Sequence, residues 1–179
     1  MSGQLDAQAR DAADEPAPPQ SSSEGTAGEL TFMMGQFVAN FPTDRLYARN
    51  HMWGQITDAS ARLIRFGFTA YAVRLLQDVY FLDWSHDAPA AVQAKQQIGS
   101  IESKKAESDL FAPLCGTIAK YNKELLVDPS AINVDKYGNG WLFEMVASSD
   151  GLLSAQQYLE HLASVWEVTQ RTIKGQLNE

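Results

Sequence analysis

A chain of 179 residues with 45% hydrophobic content can bury one core, so a single domain with an appended tail is the expectation. Its 22 acidic residues against 14 basic ones leave a formal charge of −8, a surface that repels phosphate backbones and anionic lipid and argues against nucleic-acid or membrane partners. A single cysteine, Cys115, cannot close an internal disulfide, and the three histidines, His51, His86 and His161, show no metal-ligand spacing.

Residues 1–28 are rich in Ala, Pro, Ser, Gly and acids and lack apolar periodicity. Such a segment cannot offset its ordering entropy by burial and is expected to be disordered. Its several acids, with Arg10 as the one base, do not suit a mitochondrial or plastid transit peptide, and it has no secretory apolar core; a cytoplasmic location is expected. Residues 29–45, apolar from Leu30 to Phe41 and ended by Pro42, read as a strap laid on the domain or as a docking patch for a partner. Ala61–Gly67 alternates as a half-buried strand should. Thr69 is placed to cap a short helix, Ala70–Leu76, that turns Tyr71, Leu75 and Leu76 to the core. Asp78–Trp84, β-branched and aromatic, reads as a buried strand, and Ser85–Ala94 as loop.

Farther on, Thr117–Tyr121 reads as a strand and Asn122–Asp135 as a long irregular connection. Gly138 and Gly140 are expected to take positive φ in the turn into a last strand, Trp141–Val146. Residues 151–179 read as a helix packed on the domain. Ser154 with Gln157 forms a capping box and Leu153 with Tyr158 a hydrophobic staple. Leu159, Leu162, Val165, Trp166, Thr169 and Ile173 recur at helical spacing, and Gly175 is expected to end the helix. Trp166 is expected in the packed face, with a partner contact as the alternative.

Between two apolar strands, Gln97–Ile101 and Leu110–Leu114, lies a polar break that carries Lys104 and Lys105. A lysine at a hairpin tip holds its ammonium away from any core and open to another protein's active site. The bland alternative is a solvated pair that keeps the turn wet. Adjacent strand residues point to opposite faces, so only one of the two can face a given partner.

The surrounding residues carry a resemblance. Ile101-Glu102-Ser103-Lys104-Lys105-Ala106, then Ala112-Pro113-Leu114-Cys115-Gly116, then Tyr137-Gly138-Asn139-Gly140-Trp141-Leu142 follow the pattern of the glycine cleavage system H proteins. Upstream, Leu46-Tyr47, His51-Met52-Trp53 and Phe66–Ala72 extend the likeness, so that it runs from about Tyr47 to Leu162. The chain resembles that family of lipoyl carriers across its whole domain. The resemblance implies a mainly β barrel-sandwich hybrid over residues 46–150, with a short inserted helix and a C-terminal helix.

It also implies covalent lipoate on Lys105, because Glu102 at −3, Ala106 at +1, Asp109 at +4 and Gly116 at +11 match the family when measured from that lysine. A biotin carrier would place methionines beside the lysine, and Lys104 and Ala106 stand there instead. Glu102 and Gly116 are implied in recognition by the lipoyl-attaching enzyme; as plain structure they are a strand carboxylate and a turn glycine. The lipoyl-lysine arm spans on the order of 14 Å. Partners implied are the lipoyl-attaching enzyme, glycine decarboxylase, aminomethyltransferase and dihydrolipoyl dehydrogenase, and the protein is a carrier, not a catalyst.

The cleft near the arm is implied to hold Asn50, His51, Met52 and Asp109. Family members commonly have a glutamate where Met52 stands, and a neutral thioether cannot pair with an ammonium. On this reading Met52→Glu would improve glycine cleavage, and a lipoate carrier of another pathway, such as sulfur oxidation or lipoate relay, becomes an alternative. Lys104 and Glu107 make the tip more polar than is usual, which leaves a non-lipoylated interaction scaffold as a further alternative.

Overall fold

A computed structural model of the chain describes residues 28–176, with side chains as far as Trp166. The expectations for residues 1–27, and for the Thr169 and Ile173 side chains, lie outside the described residues. The elements in chain order are β1 Glu29–Met34, β2 Phe37–Pro42, β3 Leu46–Tyr47, β4 Met52–Asp58, β5 Leu63–Phe68, α1 Ala70–Leu76, β6 Val79–Trp84, β7 Ala90–Val92, β8 Gln97–Ser103, β9 Glu107–Phe111, β10 Gly116–Tyr121, α2 Glu124–Val127, α3 Ser130–Val134, β11 Trp141–Ala147 and α4 Ala155–Gln176.

The molecule is mainly β. An antiparallel sheet in the order β3-β4-β5-β11-β10-β7 packs on a smaller one, β6-β8-β9, and β1–β2 form a separate hairpin. Strand alternation divides the interior in two. Met52 on β4, Ile64, Phe66 and Phe68 on β5, Leu82, Ile98, Ile101, Leu110, Ile118 and Met145 fill the space between the two sheets. The opposite face of β4 carries Trp53, which joins Phe41, Tyr47, Tyr71, Tyr158 and Leu162 in an aromatic layer beneath the hairpin, α1 and α4. Gly67 makes room for that layer, since a Cβ there would sit 2.6 Å from the Trp53 indole.

The two longer helix starts are built by their caps. Thr69 Oγ1 accepts the Ala72 N–H at 3.3 Å. Ser154 donates its backbone N–H to Gln157 Oε1 at 2.9 Å, and Gln157 returns one to Ser154 Oγ at 3.3 Å, a reciprocal capping box. No helix among the described residues is long and apolar enough to cross a membrane.

Five local expectations are corrected. β6 is half-exposed: Val79 and Leu82 are buried, but a register shift between Val79 and Phe81 turns both Tyr80 and Phe81 outward. Within Ser85–Ala94, the short β7 pairs with β10 and extends the larger sheet. Asn122–Asp135 is not irregular, because α2 and α3 form within it. There the buried Asn122 donates to the Asn139 and Trp141 carbonyls at 3.0 and 2.8 Å. Neither Gly138 nor Gly140 has positive φ; Gly35 is the glycine among the described residues that does. What those two positions exclude is a Cβ, which would meet the Asp135 carboxylate at 2.6 Å or the Ala131 carbonyl at 2.5 Å. Finally, α4 continues through Gly175 to Gln176, so Gly175 does not end it.

Candidate functional site

The strands of the lysine-bearing hairpin run closer to its tip than the apolar pattern suggests. Pairing of β8 with β9 continues to Glu102↔Glu107, and β9 ends at Phe111 rather than running to Leu114. Only Lys104, Lys105 and Ala106 remain outside the ladder, on top of the turn. All three are exposed.

Ser103 organises this turn. It is buried, and its hydroxyl donates to the Ala106 carbonyl at 3.0 Å while lying 3.4 Å from the Lys105 N–H and 3.3 Å from the Ala106 N–H. The Lys104 N–H is shared between the carbonyls of Gln77 and Asp78, 3.2 Å from each. Those two residues hold φ of 55° and 37°, left-handed backbone that a side chain adopts at a cost of about 1 kcal/mol. The α1–β6 junction is therefore bent to reach the tip, and Asn133 of α3 braces it by bonding both the N–H and the carbonyl of Val79 at 2.9 Å.

The two lysines have different surroundings. Lys104 leans on Asp78, with Nζ 4.0 Å from the carboxylate. Lys105 has no ion-pair partner among the described residues. An exposed amine on a backbone held from both sides, with no carboxylate competing for it, suits an amide-linked arm. The like-charged pair Glu102 and Glu107 faces across the strands just below, an arrangement unfavourable unless the lysines above offset it.

The remaining candidates do not form one group. Asn50 Nδ2 donates to the Phe111 carbonyl at 3.0 Å, and Asp109 accepts from Gln97 at 2.7 Å, so both lie along β9 below the tip. His51 points the other way, into the aromatic layer, where its Nδ1 is 2.9 Å from the Tyr158 hydroxyl and its ring packs on Tyr71. Burial, and secondarily the adjacent His161, hold His51 down at about pKa 4. Met52 is 2% exposed in the core between the sheets, so it does not line an open cleft. Gly116, half-buried, opens β10 in the other sheet, where a Cβ would fall on the Val146 carbonyl.

Sequence reasoning missed Ser103 and the Gln77–Asp78 junction as builders of the tip. Ser103 sat inside the family pattern without a stated role; an Asx-like hydroxyl three residues before the turn's end is a turn signal that could have found it. Gln77 carries no such signal, and Asp78 only a weak one, since aspartate tolerates left-handed backbone less readily than glycine.

A β-scaffold that presents an exposed lysine pair at a hairpin tip has the form of a carrier. A family profile described as Glycine cleavage H-protein matches residues 45–165. The glycine cleavage system H protein of Herpetosiphon aurantiacus is 36% identical over 127 residues, 70% of this chain and 95% of that protein. The probable glycine cleavage system H protein 1 of Saccharolobus solfataricus is 37% identical over 125 residues, 67% and 89% of the two chains. A crystal structure of a glycine cleavage system H protein from Mycobacterium marinum superposes with a TM-score of 0.59 at 34% identity, covering 69% of this chain and 98% of that one. The chain belongs to the glycine cleavage H-protein family. Its fold is the barrel-sandwich hybrid of lipoyl carriers, and proteins of this family carry lipoate covalently on a lysine and are not catalysts.

Proposed function

We propose that Lys105 is the lipoylated residue and that the protein serves glycine cleavage, presenting its arm in turn to glycine decarboxylase, aminomethyltransferase and dihydrolipoyl dehydrogenase after a lipoyl-attaching enzyme has loaded it. The observation that carries this reading is the contrast between two adjacent lysines: Lys104 is tied by backbone and side chain to the α1–β6 junction, and Lys105 is not. Glu102, half-buried on β8, and Gly116 are the positions we assign to recognition by the attaching enzyme.

When bound, lipoate supplies thiol–disulfide chemistry. The chain's own residues supply order. Ser103 and the Gln77 and Asp78 carbonyls fix where the lysine backbone stands, so that the arm swings from a defined point and a partner loses less entropy in finding it. We assign Asn50 and Asp109, which lie along β9 below the tip, to the cleft beside the arm. Because Met52 is packed in the core, its missing charge is no argument for another pathway. The single free, exposed Cys115 suits a reducing compartment, and we assign the protein to the cytoplasm.

Intact mass of the chain treated with a lipoyl ligase should rise by one lipoyl increment, absent in Lys105→Ala and kept in Lys104→Ala. The reverse pattern moves the site by one residue. Glycine–bicarbonate exchange with a glycine decarboxylase tests the pathway: exchange matching that of an H protein from an established system supports glycine cleavage, and none with fully loaded protein rejects it.

A further inference from the structure

The family match begins at residue 45, so the β1–β2 hairpin lies outside it. Between this hairpin and α1 runs a cleft of about 550 Å³ that ends at Asp78 and Lys104, beside the carrier tip. Phe37 and Val38 form part of one wall and stand 49% and 57% exposed. Charge is reversed here. Arg74, Lys104 and Lys136 line the cleft against Asp78 as the one acid, on a chain whose formal charge is −8. Lys104 is the one of the three with a carboxylate within 4.0 Å among the described residues. The Arg74 guanidinium lies instead over the Phe37 ring, 3.1 Å from its centroid.

We propose that this cleft seats the chain's own acidic segment upstream of β1, centred on Asp14-Glu15-Pro16-Ala17-Pro18-Pro19. The 27 residues before Gly28 hold five acids, Asp6, Asp11, Asp14, Glu15 and Glu24, against Arg10 alone, a net charge of −4 that complements the cleft. Proline-rich segments dock on exposed aromatic rings, and an acidic flank beside the prolines matches cations beside Phe37. The reach suffices. Crossing the six-residue strand β1 from Gly28 to the hairpin turn takes about 20 Å, and the chain from Pro19 to Gly28 extends to about 30 Å. A tethered segment acts at an effective concentration on the order of millimolar, so individually weak contacts fill the cleft. Since the cleft ends at Lys104, its occupant lies beside the tip. The contact does not depend on which lysine carries the arm.

Carbodiimide coupling of the full chain tests this. The reagent activates a carboxyl, the lysine Nζ attacks it to form an amide, and the displaced oxygen leaves as the urea. Mass spectrometry should find Lys104 or Lys136 joined to Asp14 or Glu15, with Lys120 and Lys123 not joined to those two acids, whatever Lys120 forms with its ion-pair partner Glu144. The yield should fall at least about fivefold in roughly 0.5 M salt, where exposed charges are screened, and likewise in Arg74→Glu, whose exposed position leaves the fold intact by circular dichroism. Equal joining of Lys120 to Asp14 or Glu15, or no joining of Lys104 or Lys136 to them, overturns the proposal. Coupling a mixture of isotope-labelled and unlabelled chains separates the remaining case: hybrid-mass products mean the cleft seats a second copy's segment, and overturn it too.

Discussion

The two hairpins of this protein are held in opposite ways. β1–β2 turns through Gly35 and Gln36, with Gly35 at φ 66°, and is positioned by what its side chains bury: Met34, Ala39 and Phe41 sink into the aromatic layer. Tyr137 adds one tie, donating its hydroxyl to the Asn40 carbonyl at 2.7 Å. β8–β9 has no glycine in its turn. Its tip is held by Ser103 Oγ and by the shared backbone bond from Lys104 to Gln77 and Asp78, while the side chains on top bury nothing. Side-chain anchoring spends the side chains. A lysine that enzymes must reach needs the second arrangement, in which the backbone is ordered and the amine left free.

The difference extends to the cores beneath. Consecutive residues of one segment serve both, with His51 and Trp53 in the aromatic layer and Met52 between the sheets. The largest expected effect comes from breaking the carrier side. Met52→Glu buries a carboxylate among apolar side chains and should cost about 3–5 kcal/mol, whereas the volume-conserving Met52→Leu should cost under about 1.5 kcal/mol. Urea midpoints of the two variants check this. An unchanged midpoint for Met52→Glu would mean that residue 52 turns out to solvent, and would restore the expectation that an acid there aids glycine cleavage.

Acid should loosen the aromatic side first. An unfolded imidazole titrates near 6.5, and burial with His161 nearby holds His51 at about 4. The unfolded state therefore binds the proton more readily. The stabilisation is complete above about pH 6.5 and is lost as pH falls through 4, a total of about 3 kcal/mol. Hydrogen exchange near pH 4.5 should show β1–β2 and α4 opening while β8–β9 stays protected. His51→Asn, which tolerates the positive φ of 67° at this site, should flatten stability between pH 6.5 and 4. The same slope in that variant would assign the effect to carboxylates. Glu144 is the main one to separate: burial opposes its charge, but hydrogen bonds from Arg65 and Lys120 prevail and hold it below the usual carboxylate range, so its loss falls lower still.

What the sequence made legible follows the range of the forces involved. The caps at Thr69 and Ser154, the mainly β class and the lysine-bearing break all rest on signals within a few residues, and each is visible in the chain. The outward turn of Tyr80 and Phe81 rests on a bulge against β8, the pairing of β7 on a strand more than 20 residues away, and the helical turns after Asn122 on that residue's bonds to Asn139 and Trp141. Such contacts are set by tertiary partners, so propensity and periodicity could not announce them. At the site the division is the same. Lysine, glutamate and glycine spacing can be read along the chain, but that Met52 faces the core and His51 the aromatic layer depends on how β4 is sandwiched.

A smaller effect on stability than either of these core tests is expected at the tip alone. Ser103→Ala removes one donated bond to Ala106 and the acceptor near the Lys105 and Ala106 N–H groups, yet leaves the backbone bond from Ser103 N–H to the Ala106 carbonyl at 3.0 Å and the Glu102↔Glu107 pairing intact. Global stability should fall by about 1–2 kcal/mol. Neither core is touched, so the loss should be local, with faster exchange at residues 104–106 and no change in β1–β2. The functional cost should be larger in proportion, because an attaching enzyme must then order the turn it formerly met preformed. Lipoylation kcat/KM should drop about tenfold, carried mainly by KM. Melting and lipoylation kinetics on the same preparation decide the matter: a lowered melting point with unchanged lipoylation would show that the enzyme reads the extended strands and not the ordered tip, and the contrast drawn between the two hairpins would lose its functional meaning.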